Sequence, residues 1–127
     1  MLDTNIVSAI MRDPAGPTAR RVVAQPEPVS VSIIVAAELR FGAARKGSAR
    51  LTETLERVLG GLEIEPLSEP VDVIYGRLRD ALERRGLPMD ANDLLIAAHA
   101  LALDRVLISA DAAFTRVRGL QLENWLP

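Results

Sequence analysis

Short β-branched runs alternate with longer helical patterns along the whole chain, and no other feature narrows the possible folds as far. The pattern predicts a strand stub at Met1-Leu2, a helix over 5–11 and a second over 18–24, closed by Pro26 and Pro28. Val29-Ser30-Val31 reads as a strand, and Ser32 stands where an N-cap opens a helix over 33–45. Beyond Gly47, residues Leu51, Leu55, Val58 and Leu59 fall at helical spacing over 49–59, so these two helices form a hairpin. A strand over 62–67 and a helix running to residue 85 follow, with a stop at Gly86-Leu87-Pro88. Asp90 and Asp93 make a capping-box-like opening for a very apolar helix over 93–103. The chain closes with a strand over 105–109, a short helix over 112–116 and a strand over 120–122. Strands interleaved with helices specify an α/β fold with a mainly parallel sheet. No repeat, linker or low-complexity tract divides the sequence, which predicts one domain over 1–127.

Composition then removes several function classes. Aromatic residues are only 3%, so the core of such a fold is aliphatic. There is no cysteine, which excludes disulfides and thiolate metal sites and suits a reducing cytoplasm. Asp3 stands where an export signal needs basic and then apolar residues, and the longest apolar stretches are too short to span a bilayer. The expected location is cytoplasmic, with no membrane contact. A net charge of -2 does not advertise a nucleic-acid binder, yet fourteen of the fifteen basic residues are arginine and only Lys46 is lysine. Arginine forks match phosphate bidentately, although GC-rich coding produces the same bias with no function attached.

The acids are more informative by position. Asp3 follows the first strand stub, Asp111 follows Val106-Leu107-Ile108-Ser109, and Asp93 lies in the first turn of a helix. Open parallel sheets bind ligands beyond the carboxyl ends of their strands, which is where such positions gather. Each acid also has a purely structural explanation, as a cap, a turn former or a dipole partner. Glu38 resists that explanation, because Ile33-Ile34-Val35-Ala36-Ala37-Glu38-Leu39 leaves no obvious solvated face, and a buried acid needs a partner or a metal. Oxygen ligands without cysteine favour a hard ion, Mg²⁺ or Mn²⁺. The lone histidine, His99, is six residues from Asp93 and points away from its face, so it reads as structural or partner-facing. Asp90 reads first as a helix cap.

Four stretches taken together resemble a PIN-domain ribonuclease, and most closely a bacterial VapC-type toxin. They are Leu2-Asp3-Thr4-Asn5-Ile6, Ala37-Glu38-Leu39-Arg40-Phe41-Gly42, and Asn92-Asp93-Leu94-Leu95-Ile96-Ala97-Ala98-His99 continuing to Leu103. The last runs Leu107-Ile108-Ser109-Ala110-Asp111 through Phe114-Thr115-Arg116-Val117 to Glu123-Asn124-Trp125. They occur in family order and cover essentially the whole chain. The resemblance implies a three-layer PIN-like domain whose parallel sheet has about five strands flanked by helices. It implies that Asp3, Glu38, Asp93 and, less firmly, Asp111 form an acidic Mg²⁺ (or Mn²⁺) pocket, with Thr4, Asn5 and Ser109 at its rim. The sequence departs from the family in placing only Met1-Leu2 before Asp3. It also carries Asp111 where relatives often have an Asn-rich loop, so Asp111 is either a ligand or a supporting residue.

The implied reaction is hydrolysis of RNA by metal-activated water, leaving a 5′-phosphate and a 3′-hydroxyl. Setting the four pocket acids aside leaves 13 of 17 acids against 15 basic residues, so the remaining surface is mildly basic. Arg40, Arg45, Lys46, Arg116 and Arg118 are then candidates for guiding the RNA backbone. The resemblance further implies a VapB-type antitoxin partner, homodimerisation, tRNA or rRNA as substrate, and operator DNA bound only through the antitoxin. A rival reading keeps the fold but makes the chain a binding module that regulates DNA with its antitoxin and has little nuclease activity. Phosphotransfer proteins with acidic Mg²⁺ pockets fit less well, because Asp3-Thr4-Asn5 has an amide where haloacid-dehalogenase-like phosphatases carry a second acid.

Overall fold

Leu2 holds the centre of the sheet. Its N–H donates to the Ser30 carbonyl at 2.8 Å, and the next N–H, of Asp3, donates to the Ile108 carbonyl at 2.9 Å. The computed structural model describes all residues, 1–127. In it Leu2 makes parallel bridges to Val31 on one side and Ile108 on the other. β1 (Ser30–Ser32) pairs in parallel with β2 (Glu63–Glu65), and β3 (Leu107–Ile108) in parallel with β4 (Leu122–Glu123). The lateral order is therefore β2, β1, the Leu2 bridge, β3, β4, with every neighbour parallel. The chain first builds outward on one side of Leu2 and then on the other, and this reversal is the point where parallel sheets open a crevice at their carboxyl edge.

The helices begin where the sequence provides caps. α1 (Thr4–Arg12) starts directly on Asp3, whose Oδ1 accepts from the Thr4 N–H at 2.8 Å. α2 (Pro17–Val23) opens with proline, whose missing N–H costs nothing in a first turn. α3 (Ile33–Lys46) is capped by Ser32, whose Oγ accepts from the Ile34 N–H at 3.1 Å. It ends at Gly47, whose φ of 64° is left-handed backbone that glycine adopts without strain. α4 (Ala49–Gly60) is capped by Ser48, and α5 (Val71–Arg84) follows β2. α6 (Ala91–Ala102) begins two residues before the predicted start, because Asp90 accepts from the Asn92 N–H at 3.1 Å. No reciprocal bond closes a capping box from the Asp93 side, so Asp93 remains free within the first turn. A 3₁₀ turn (Ala112–Arg116) replaces the predicted short helix.

The strands are shorter than the patterning predicts. The run over 105–109 contributes only Leu107–Ile108, because Arg105 is drawn into the end of α6. Its N–H donates to the Ala100 carbonyl at 2.9 Å across Asp104, which has a φ of 51°. The first strand is reduced to the single Leu2 bridge. A contiguous apolar core of 21 buried residues, aliphatic but for Phe114 and Met1, compensates, with Leu2, Val31, Val35, Ile96 and Ala97 fully inaccessible. Each fully buried Val, Leu or Ile in it contributes about 1.5–3 kcal/mol. No helix is long and apolar enough to cross a membrane.

Candidate metal centre

Asp3 is 3% exposed and is held by neighbours from both ends of the chain. Its Oδ1 takes the Thr4 N–H, and its Oδ2 accepts from the Ser109 hydroxyl at 2.7 Å and from the Asn5 amide at 3.3 Å. Ser109 lies beneath this carboxylate, only 2% exposed, instead of at an open rim. Asn5 ties the same corner to the next loop, since its Oδ1 accepts from the Ala110 N–H at 3.1 Å. Ser109 also accepts from the Asp111 N–H at 3.0 Å, so Asp3 and the β3 loop share one hydrogen-bond network. Thr4, Asn5 and Ser109, expected at the pocket rim, all donate hydrogen bonds to Asp3.

Asp93 comes to the same place from α6 and Glu38 from α3. Burial lifts the Asp93 carboxyl from 3.8 to about 6, and the negative charges of Asp3, Asp90, Asp111 and Glu38 push in the same direction. Burial also raises Glu38, with Asp3 and Asp90 adding to it while the Asn92 side chain pulls back. One Glu38 oxygen, Oε1, is buried and accepts no hydrogen bond. A buried carboxylate oxygen without a partner is costly, and that cost is relieved by a cation. Asp111 is exposed and uses Oδ1 to accept from the Ala113 N–H at 2.9 Å, which starts the 3₁₀ turn.

Asp90 is a member of the cluster that the sequence reading took first as a cap, with metal contact as the minor alternative. It does cap α6, and its charge also bears on both Asp93 and Glu38. Its position three residues before Asp93 was visible, but the approach of α3 that brings Glu38 alongside was not. The five acids stand apart, with no three at ligating separation around one point. The donor set is all oxygen, one oxygen is orphaned, and the cluster lacks a compensating cation, so these residues fit a hard divalent ion.

His99 takes no part in the cluster. It is 1% exposed, and its Nδ1 lies 2.8 Å from the Ser32 hydroxyl, joining α6 to the cap of α3. The candidate RNA-guiding residues diverge. Arg40 makes a bidentate pair with Glu56 at 2.8 and 3.1 Å, and Arg116 donates to the Pro88 carbonyl at 3.2 Å. Arg45, Lys46 and Arg118 form no ion pair, so their charges stay available.

Comparison with known proteins agrees with this architecture. The family model described as "PIN domain" matches residues 1–120. Ribonuclease VapC2 of Rickettsia felis is 38% identical, over 98% of this chain and 96% of that protein. Ribonuclease VapC1 of Haemophilus influenzae strain R2866 is 34% identical, over 98% of this chain and 96% of its own length. Among solved structures, VapBC2 from Rickettsia felis bound to a DNA fragment from its promoter superposes with a TM-score of 0.90. It is 34% identical and covers 99% of this chain and 98% of the matched chain. With a five-membered parallel ladder centred on Leu2, acids collected at its carboxyl edge and relatives matching from end to end, the chain belongs to the PIN-domain family and is of the VapC ribonuclease type.

Proposed function

We propose that this chain is the toxin of a VapBC-type toxin–antitoxin pair, an endoribonuclease that works with Mg²⁺ (or Mn²⁺) and cuts tRNA or rRNA. The observation that carries the reading is the gathering of Asp3, Asp93 and Glu38, where one Glu38 oxygen is buried without a partner and burial, then the charges of four other acids, lift the Asp93 carboxyl to about 6. A cluster so charged is unfavourable for the fold alone and useful to a divalent cation. Asp3, Asp93 and Glu38 would hold the ion, with Asp111 and Asp90 contributing charge from the edge. When bound, the ion supplies Lewis-acid polarisation of the phosphodiester and lowers the pKa of the attacking water.

The chain's own residues set the geometry. Ser109 and Asn5 fix the Asp3 carboxylate in one rotamer through Oδ2, while the Thr4 N–H holds Oδ1. Glu38 presents the unpartnered Oε1 from α3, and Asp93 presents a carboxylate free of hydrogen bonds from α6. Attack on the phosphodiester by water leaves a 5′-phosphate and a 3′-hydroxyl, and no 2′-hydroxyl participates. A VapB-type antitoxin restrains the toxin, operator DNA is reached only through that partner, and the toxin works as a homodimer.

The test is 5′-end mapping of cellular RNA after brief expression of the wild-type chain and of Asp93→Asn. A small set of new 5′-phosphate ends, present only with wild type, is expected and identifies the RNA. Identical end profiles for the two proteins would overturn the reading in favour of an antitoxin-dependent DNA-binding module. A 2′,3′-cyclic phosphate on the upstream product would refute the water mechanism.

A further inference from the structure

Beside the acidic cluster, α1, α3 and the start of α4 enclose a groove of about 580 Å³. Its only carboxylate is Glu38, which belongs to the cluster, and its cations are Arg12, Lys46 and Arg50. Six arginines of the molecule are held in ion pairs, including Arg40, which lies two residues beyond Glu38 on the same helix. None of the three groove cations is among them. All three are exposed and their charges face an open channel with no counter-ion of their own. The Ser8 hydroxyl, one more donor, also lines the channel. The groove is therefore positive along its length and negative where it meets the acids.

We infer that this groove is a phosphate subsite that holds the RNA backbone beside the scissile bond, with Arg12, Lys46 and Arg50 as positioning residues. The identity of the ligand rests on the nuclease reading above. Arg12 and Arg50 lie outside the four family-like stretches, and in sequence they stand 38 residues apart, so only the packing of α1 against α4 joins them. A nuclease whose acids repel RNA in the absence of metal needs cations next to them to retain the strand, and unpaired arginine forks with a lysine meet that need. Neutralising three phosphates releases counterions, which gives the subsite a measurable salt signature.

The test measures anisotropy of a fluorescein-labelled, mixed-sequence single-stranded RNA against salt concentration, in EDTA so that no cleavage occurs. It compares the full chain with Arg12→Gln/Lys46→Gln/Arg50→Gln. The slope of log affinity against log salt should fall by about 2, with roughly 30- to 100-fold weaker binding near 0.1 M salt. Arg84→Gln/Asp80→Asn, which removes a pair of compensating charges on α5 outside the groove, should leave the slope unchanged. If the triple variant does not fold, Arg12→Gln and Arg50→Gln singly should each lower the slope by about 0.7. An unchanged slope, or no binding by wild type, overturns the inference. Loss of polyglutamate binding with RNA binding intact also overturns it and assigns the groove to an acidic peptide. Because the assay involves no cutting, a lowered slope alongside silent end mapping would remove the nuclease reading and leave the subsite standing.

Discussion

Asp93→Asn removes one charge from the most crowded point of the molecule, so the loss of this proposed metal ligand should make the metal-free protein more stable. A carboxyl moved from 3.8 to about 6 prefers its protonated form in the folded state, which corresponds to about 3 kcal/mol before screening. Asp93 is partly exposed, and solvent screening reduces the figure to about 1–2 kcal/mol. Losing a negative charge from the first turn of α6 costs about 0.5 kcal/mol through the helix dipole. The net gain is about 0.5–1.5 kcal/mol. For a chain of this length that raises the unfolding midpoint by roughly 2–7 °C.

The sign fixes where the gain appears. The folded pKa lies above the unfolded one, so between 3.8 and about 6 the native state binds more protons, and wild-type stability declines as pH rises through that window. Thermal unfolding in EDTA should therefore show the variant ahead at pH 7.5, with the gap largely gone near pH 4. Mg²⁺ at ten times its dissociation constant should stabilise wild type by about 1.4 kcal/mol and leave the variant almost unmoved. A variant no more stable than wild type at pH 7.5, or a gain that persists at pH 4, would refute the claim that burial and the neighbouring acids disfavour the Asp93 charge in the fold.

Ser109→Ala deletes the 2.7 Å bond to Asp3 Oδ2, and losing such an orienting partner should weaken Mg²⁺ binding or cleavage by about 10- to 100-fold, measured by calorimetric titration and by RNA turnover. Leu2→Ala empties the centre of the sheet at a fully buried position; urea unfolding should show a loss of about 2–5 kcal/mol. Burial holds His99 below its usual 6.5, so its contribution is complete above 6.5 and is lost as pH falls below it. In the Asp93→Asn/Glu38→Gln background, where both raised carboxyls are absent, stability should decline on acidification from pH 7, and His99→Gln should flatten that decline.

Local structure was legible because its causes lie within a few residues. Ser32, Ser48 and Asp90 each satisfy an N–H two or three positions on, and Gly47 accepts the left-handed backbone that ends α3. The alternation that predicted a parallel sheet needs only the same short range. The acids at strand ends were visible as candidates for the same reason, and the family-like stretches named them as a set. Strand lengths were not legible, since Arg105 could join either the strand or the helix end and a turn across Asp104 decided it.

By itself, then, the sequence determined the order and kind of the elements, their caps, the aliphatic character of the core and the identity of the acids, all of which follow from neighbours along the chain. Tertiary structure alone decided that Leu2 lies at the centre of the sheet, that Ser109 reaches Asp3 across 106 residues, and that Asp90 adds its charge to Asp93 and Glu38. It also decided which cations are free, binding Arg40 to Glu56 while leaving Arg12, Lys46 and Arg50 open along one groove. The physical reason is distance. Hydrogen bonds and charges that link remote segments act only after the helices have packed against the sheet, and the sequence carries no local sign of which side chains that packing will bring together.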